Sequence, residues 1–263
     1  MPYDHLVVDR RDGVLCVALD RPDVLNSVNA RMAESLVRVL ADAGGDPTVR
    51  AVLLTGRGRA FCAGQDLAEV LPVSGAPGPD LGAIVARQYN PLIRALRRLE
   101  KPVVCAVNGV AAGAGANLAF ACDLVIAAES ATFIQSFARI GLIPDSGGTF
   151  FLPRIIGLQR AAALTMLGDK LGAARAKEWG LVHDVVPDAT LADASHALAT
   201  RLATMPTRAL GLAKRGVNAA FGNDLEAQLA LEETLQREAG ATADYAEGVR
   251  AFVEKRPARF EGR

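Results

Sequence analysis

Histidine is scarce. The 263 residues hold three, His5, His183 and His196, and no H-E-x-x-H pair. A zinc site or a Ser-His-Asp triad would have to be assembled from poor material. An excess of either charge is also missing, with Lys plus Arg and Asp plus Glu both at 29. Zero formal net charge leaves no positive field of the kind a general nucleic-acid binder needs. The four cysteines, at 16, 62, 105 and 122, form no C-x-x-C. They read as free thiols in a reducing, cytoplasmic setting. The opening residues Met1 to His5 carry no basic patch followed by an apolar run, so no signal peptide is expected.

The nucleotide and hydrolase motifs are absent as well. There is no G-x-x-x-x-G-K-S/T loop. Gly56-Arg57-Gly58 and Gly113-Ala114-Gly115 each begin a G-x-G-x-x-G, but Phe61 and Leu118 stand at the third glycine. A nicotinamide dinucleotide site is therefore not expected. Pro144 takes the first glycine position of a G-x-S-x-G around Ser146.

What is present is an ordinary globular composition, 51% hydrophobic and 22% charged, too apolar for disorder. The length suits one substantial core, with a small appendage or as two packed lobes. Pro102 to Cys122 carries no charge and is long enough to cross a bilayer. Asn108-Gly109, Gly113, Gly115 and Asn117 interrupt it. It reads instead as a buried strand, a glycine turn and a buried helix, and no membrane association is expected.

Along the chain, 5–9 and 14–20 read as strands joined by the turn at 10–13. Met32, Leu36 and Leu40 mark a helix entered through Asn29 and closed by Gly44-Gly45. Strands follow at 52–55, 103–107, 124–126 and 182–186, with a helix at about 82–99 and a loop over 72–80. After 190 the patterns are helical, at 191–204, 207–220, 224–239 and 241–254. The alternation predicts an α/β core with parallel pairing. Residues 1–190 are expected to form it, and 191–263 a C-terminal helical lobe used for oligomerisation.

Three glycine-punctuated segments remain: Ala60 to Leu67, Asn108 to Asn117, and Gly141 to Thr149. The first two each precede a helix. Such a turn aims free backbone N–H groups into one space, and the helix dipole adds partial positive charge. Two of them facing each other would make an oxyanion hole from main chain alone. The competing reading makes all three plain βα turns, with Asp66 and Asp145 as helix caps.

In order and spacing these segments resemble the crotonase (enoyl-CoA hydratase/isomerase) superfamily. Leu19-Asp20-Arg21-Pro22, Leu25-Asn26 and the stretch Glu247 to Arg256 match it too, so the resemblance spans nearly the whole chain. Within the family the motifs are most similar to the ring-epoxide acyl-CoA isomerases of phenylacetate degradation. The resemblance implies a crotonase-type spiral of repeated ββα units and assembly as a homotrimer or a hexamer. It implies an acyl-CoA thioester substrate, of which coenzyme A is a part, with no separate cofactor and no metal. The thioester oxygen would sit between the N–H groups of Gln65 and Ala114. CoA would meet Asn26, Val28, Ala63, Gln65, Asp66 and Leu67, with Lys255 or Arg256 reaching its phosphates, in some assemblies from a neighbouring subunit. Asn117 would either contact substrate or fix its own turn.

Hydratases of this family hold water with two glutamates, and here Asn117 and Phe137 stand at those positions. Neither accepts a proton from water. The family match leaves Asp145 as a single acid/base, which suits an isomerase acting on an unsaturated or ring-epoxide acyl-CoA. Three alternatives stay open: an enoyl-CoA hydratase with another way of holding water, a non-catalytic CoA-ester binding protein, and a thioester hydrolase or dehalogenase with Asp145 as nucleophile.

Overall fold

The computed structural model describes residues 3–71 and 78–263. Positions 72–77 of the expected loop lie outside the described residues. Strands β1 (Leu6–Arg11) and β2 (Val14–Leu19) form the expected hairpin, with Leu6 opposite Leu19. Helix α1 (Ala30–Gly45) starts at Asn29, whose side chain accepts from the Met32 N–H, and buries Met32, Leu36, Val39 and Leu40.

Three turns of a spiral follow, each built the same way. A first strand is followed by a tight turn, a three-residue strand in the second sheet, and then helix. The first turn is β3 (Ala51–Gly56), β4 (Ala60–Cys62), then α2 (Leu81–Ile84), a π-helical turn at Val85–Tyr89, and α3 (Asn90–Arg98). The second is β5 (Val103–Val107), β6 (Val110–Ala112) and α4 (Ala114–Phe120). The third is β7 (Leu124–Ala128), β8 (Thr132–Ile134) and α5 (Gly148–Leu167). Then come β9 (Lys170–Gly172), α6 (Ala173–Glu178) and β10 (Asp184–Val186). One sheet lines up as β1-β2-β3-β5-β7-β10, parallel from β2 onward. Short strands line up as β4-β6-β8-β9, with β9 antiparallel. Each spiral turn therefore adds one strand to each sheet. The Pro102–Cys122 stretch resolves into β5, β6 and α4, as the glycines predict.

Among the described residues, α5 is the one helix whose length and apolarity would suit a bilayer. Gly157, at φ 78° and ψ 165°, breaks it into two arms. At 1.5 Å per residue each arm is about 15 Å long, half the roughly 30 Å of a hydrocarbon core.

The last helices are α7 (Leu191–Ala203), α8 (Thr207–Ala219), α9 (Leu225–Gly240) and α10 (Ala243–Val253). The expected lobe boundary at 190 needs correction, because α7 packs across β2, β3, β5 and β7 and belongs with the sheet. The final residues return to the body. Arg50 donates to the carbonyls of Met205 (2.7 Å) and Phe260 (3.3 Å) and to the Thr207 hydroxyl. Asp244, 2% exposed, accepts from the N–H groups of Glu261 (2.6 Å) and Gly262 (2.8 Å).

Candidate active site

The turn after β4 and the turn after β6 touch through their backbones. A Cβ placed on Gly64 would stand 2.8 Å from the Ala112 oxygen and 3.4 Å from the Ala114 nitrogen. One on Gly115 would stand 2.3 Å from the Cys62 oxygen. Only glycine allows this approach, and Gly64, at φ 95°, also occupies backbone space that side chains rarely enter. Val28 pins the first turn: its N–H donates to Gly64 O (2.7 Å) and its carbonyl accepts from Asp66 N–H (2.9 Å). Gln65 and Ala114 thus lie on adjoining turns, and their N–H groups make no hydrogen bond among the described residues. Phe137 is buried, with its ring edge 3.7 Å from a Cβ position on Gly113.

Asp145 arrives on the turn before α5. Its carbonyl accepts from Gly148 N–H and from Asn117 Nδ2, both at 2.8 Å. Asn117 is fully buried, and its Oδ1 accepts from Gln135 Nε2 at 2.9 Å. This chain ties the Asp145 turn to the first turn of α4. The carboxyl accepts from the Ser146 hydroxyl at 2.8 Å. Burial is the main influence on it and pushes its pKa up, against the Ser146 hydrogen bond, which pulls it down. Helix α5 begins after Gly147 with no side-chain cap, so the capping role weighed for Asp145 is not the one it plays.

Tyr89, from the π-helical turn, is buried beside these groups. Burial first, with the nearby carboxylates Asp145, Glu69 and Asp66 adding to it, pushes its phenol pKa up. The three carboxylates around it differ in their partners. Asp66 pairs with Arg21 at 2.7 Å and caps Ala68 N–H. Glu69 accepts from the Ala30 N–H at 3.0 Å. Asp145 meets no cation among the described residues.

The sequence profile described as Enoyl-CoA hydratase/isomerase matches residues 9–263. The chain belongs to this family. It is 53% identical over 251 residues to the 1,2-epoxyphenylacetyl-CoA isomerase of Escherichia coli, covering 95% of this chain and 96% of that one. It is 35% identical over 259 residues to the 2,3-dehydroadipyl-CoA hydratase of the same organism, covering 98% and 99%. Among solved structures, the enoyl-CoA hydratase from Bacillus anthracis superposes with a TM-score of 0.92 at 34% identity, covering 99% of this chain and all of that one. The fold is the crotonase spiral, and the chain is an enzyme of the hydratase/isomerase family.

The predicted contacts of this family do not all fall where expected. Asn26 is fully buried, with Nδ2 on the carbonyls of Arg57 (2.9 Å) and Ala60 (2.8 Å) and Oδ1 on Arg21 N–H (2.9 Å). Its side chain closes a loop inside the protein. Asp66 is likewise committed, to Arg21. Asn117 fixes a turn, although the turn is that of Asp145 as well as its own. Ala63 and Gln65 are half-buried and Leu67 is exposed along the edge of the site. Lys255 follows α10, which packs on α9. Arg256 is held by Glu247 and Glu254. Tyr89, Gln135 and Ser146 were not anticipated. A D-S-G-G run before a helix is the one signal that pointed near Ser146.

Proposed function

We propose that this enzyme is an acyl-CoA isomerase in which Asp145 alone moves the proton. The thioester oxygen lies between the N–H groups of Gln65 and Ala114. Taking a proton from the carbon beside the thioester places negative charge on that oxygen. Donors fixed in advance stabilise it by about 3–4 kcal/mol each in comparable sites. Asp145 then returns the same proton to a carbon further along the conjugated system, so no atom is gained or lost. Burial raises its pKa toward the working range of a general base.

One observation carries this reading. Where a hydratase needs two water-holding acids, Asn117 has both ends of its amide engaged inside the protein and Phe137 is a buried ring. The best candidate substrate is 1,2-epoxyphenylacetyl-CoA, rearranged to the oxepin form, with Δ3,Δ2-enoyl-CoA isomerisation as a related activity. The similarity to the Escherichia coli isomerase supports it. We place Lys255 at the CoA phosphates of a neighbouring subunit in a trimer or dimer of trimers. Four free thiols favour a reducing, cytoplasmic setting.

The test uses two substrates and one variant. Ring-epoxide acyl-CoA is isomerised, and crotonyl-CoA keeps its conjugated absorbance. Asp145→Asn lowers kcat by about 10²–10⁴-fold while CoA-ester affinity stays within a factor of two or so. Brisk hydration of crotonyl-CoA would favour the hydratase alternative. An unchanged rate in the variant would remove Asp145 from the mechanism.

A further inference from the structure

Ser146 is 3% exposed and sits at φ 50°, in the left-handed region that serine seldom enters. Glycine would take that conformation without strain, as Gly147 does next door at φ 77°. What glycine lacks is the hydroxyl, and this hydroxyl donates to Asp145 Oδ1 at 2.8 Å. An ionised carboxylate can only accept, so the direction of the bond is fixed. The Asp145 carbonyl is already held by two donors, Gly148 N–H and Asn117 Nδ2. Main chain and carboxyl are therefore pinned separately, one from α4 and α5 and the other by Ser146.

We propose that Ser146 is the positioning residue for the proton carrier: it occupies Oδ1 and leaves Oδ2 as the atom that accepts and returns the proton. This deepens the isomerase reading and rests on it. A carboxyl free to rotate would offer either oxygen, in different places, to the two carbons of the substrate. A carboxyl with one oxygen held presents a single atom to both. The bond is also stronger to the ionised form, so it keeps the base available against the effect of burial.

The groups shown to reach Asp145 among the described residues add no competing charge that would do the same. Asn117 of α4, which donates to its carbonyl, and Gln135, which donates to Asn117, are uncharged. Tyr89 from the turn at 85–89 stays protonated through burial. Beyond it, Cys62 of β4 is pushed up to about 12 by burial, Asp66 is paired with Arg21, and Glu69 caps Ala30.

The experiment compares Ser146→Gly, Ser146→Ala and Asp145→Asn in the full-length enzyme. The readouts are kcat, KM, the pH profile of kcat/KM and thermal midpoint. Ser146→Gly fits the backbone and should fold at least as well as the parent. Both serine variants are expected to lose about ten- to hundredfold in kcat. KM should change little, and the acid limb of the profile should move to higher pH. If Asp145→Asn is inactive while both serine variants keep the parental kcat and pH profile, the role of Ser146 is refuted and Asp145 stands. If Asp145→Asn keeps the parental rate, the isomerase reading fails and this proposal falls with it.

Discussion

Helices α4 and α9 obey opposite rules. All seven residues of α4, Ala114 to Phe120, are buried, and none is charged. Of the sixteen residues of α9, Leu235 alone is buried. The α9 sequence is a helix by local chemistry: it is rich in Ala, Leu, Glu and Gln, and Asp224 caps it by accepting from Ala227 N–H at 2.8 Å. The α4 sequence, with Gly115 and Asn117 inside seven residues, is a poor helix former at a length that is marginal in water. It is helical because the surrounding sheets and α5 leave it no other way to pair its backbone. The helix beside the candidate site is thus the one made by packing, and the helix made by propensity lies at the periphery.

That contrast can be broken first at Gly115. Gly115→Ala pushes a methyl into the Cys62 carbonyl and drives α4 away from β4. The expected cost is about 1–3 kcal/mol of stability. Turnover should fall on the order of a hundredfold as the two N–H groups part. Denaturant melts and steady-state rates check both. Parental values in both would mean that α4 has more slack than its burial implies.

A second, smaller effect sharpens the comparison through pH. Burial raises the folded-state pKa of Asp145, so the folded protein binds that proton more tightly than the unfolded chain. The stability this proton supplies is complete below the unfolded value, about 3.9, and is lost as pH rises through the folded value. Asp145→Asn has no such loss. Its thermal midpoint should therefore gain on the parent as pH climbs from about 4, then run parallel above the folded pKa. A constant offset at all pH values would show that burial does not perturb this carboxyl.

The smallest effect belongs to α9. Leu229→Gln should change stability by no more than about 0.5 kcal/mol, since this leucine is 49% exposed. A larger loss that deepens on dilution would show that another subunit covers the helix, and sedimentation of the variant would confirm it.

Much of this was legible in the sequence. The hairpin, α1, the long parallel strands and the three glycine segments all fall where periodicity and turn chemistry put them. The short strands β4, β6, β8 and β9 escaped because three residues carry little period; β10 is as short and showed only within the longer stretch 182–186. Helix α5 escaped because Pro153 and Gly157 interrupt its pattern. At the candidate site, the close approach of the two turns could be anticipated because glycine spacing constrains backbone. The polar side chains were half legible: a cap at Asp66 and a turn role for Asn117 stood beside ligand contacts as readings, and the fold closes turns with both, as it does with Asn26. Whether Asp145 caps a helix depends on where that helix starts, and α5 starts at Gly148 with Gly147 at its cap.

The clasp at the far end of the chain bears on how the protein can be handled. Asp244 is a buried acid whose partners are two amides from the last three residues, and Arg50 grips the carbonyl of Phe260. Trimming those residues would strand a negative charge in the interior and loosen the seam between the first spiral turn and the final helices.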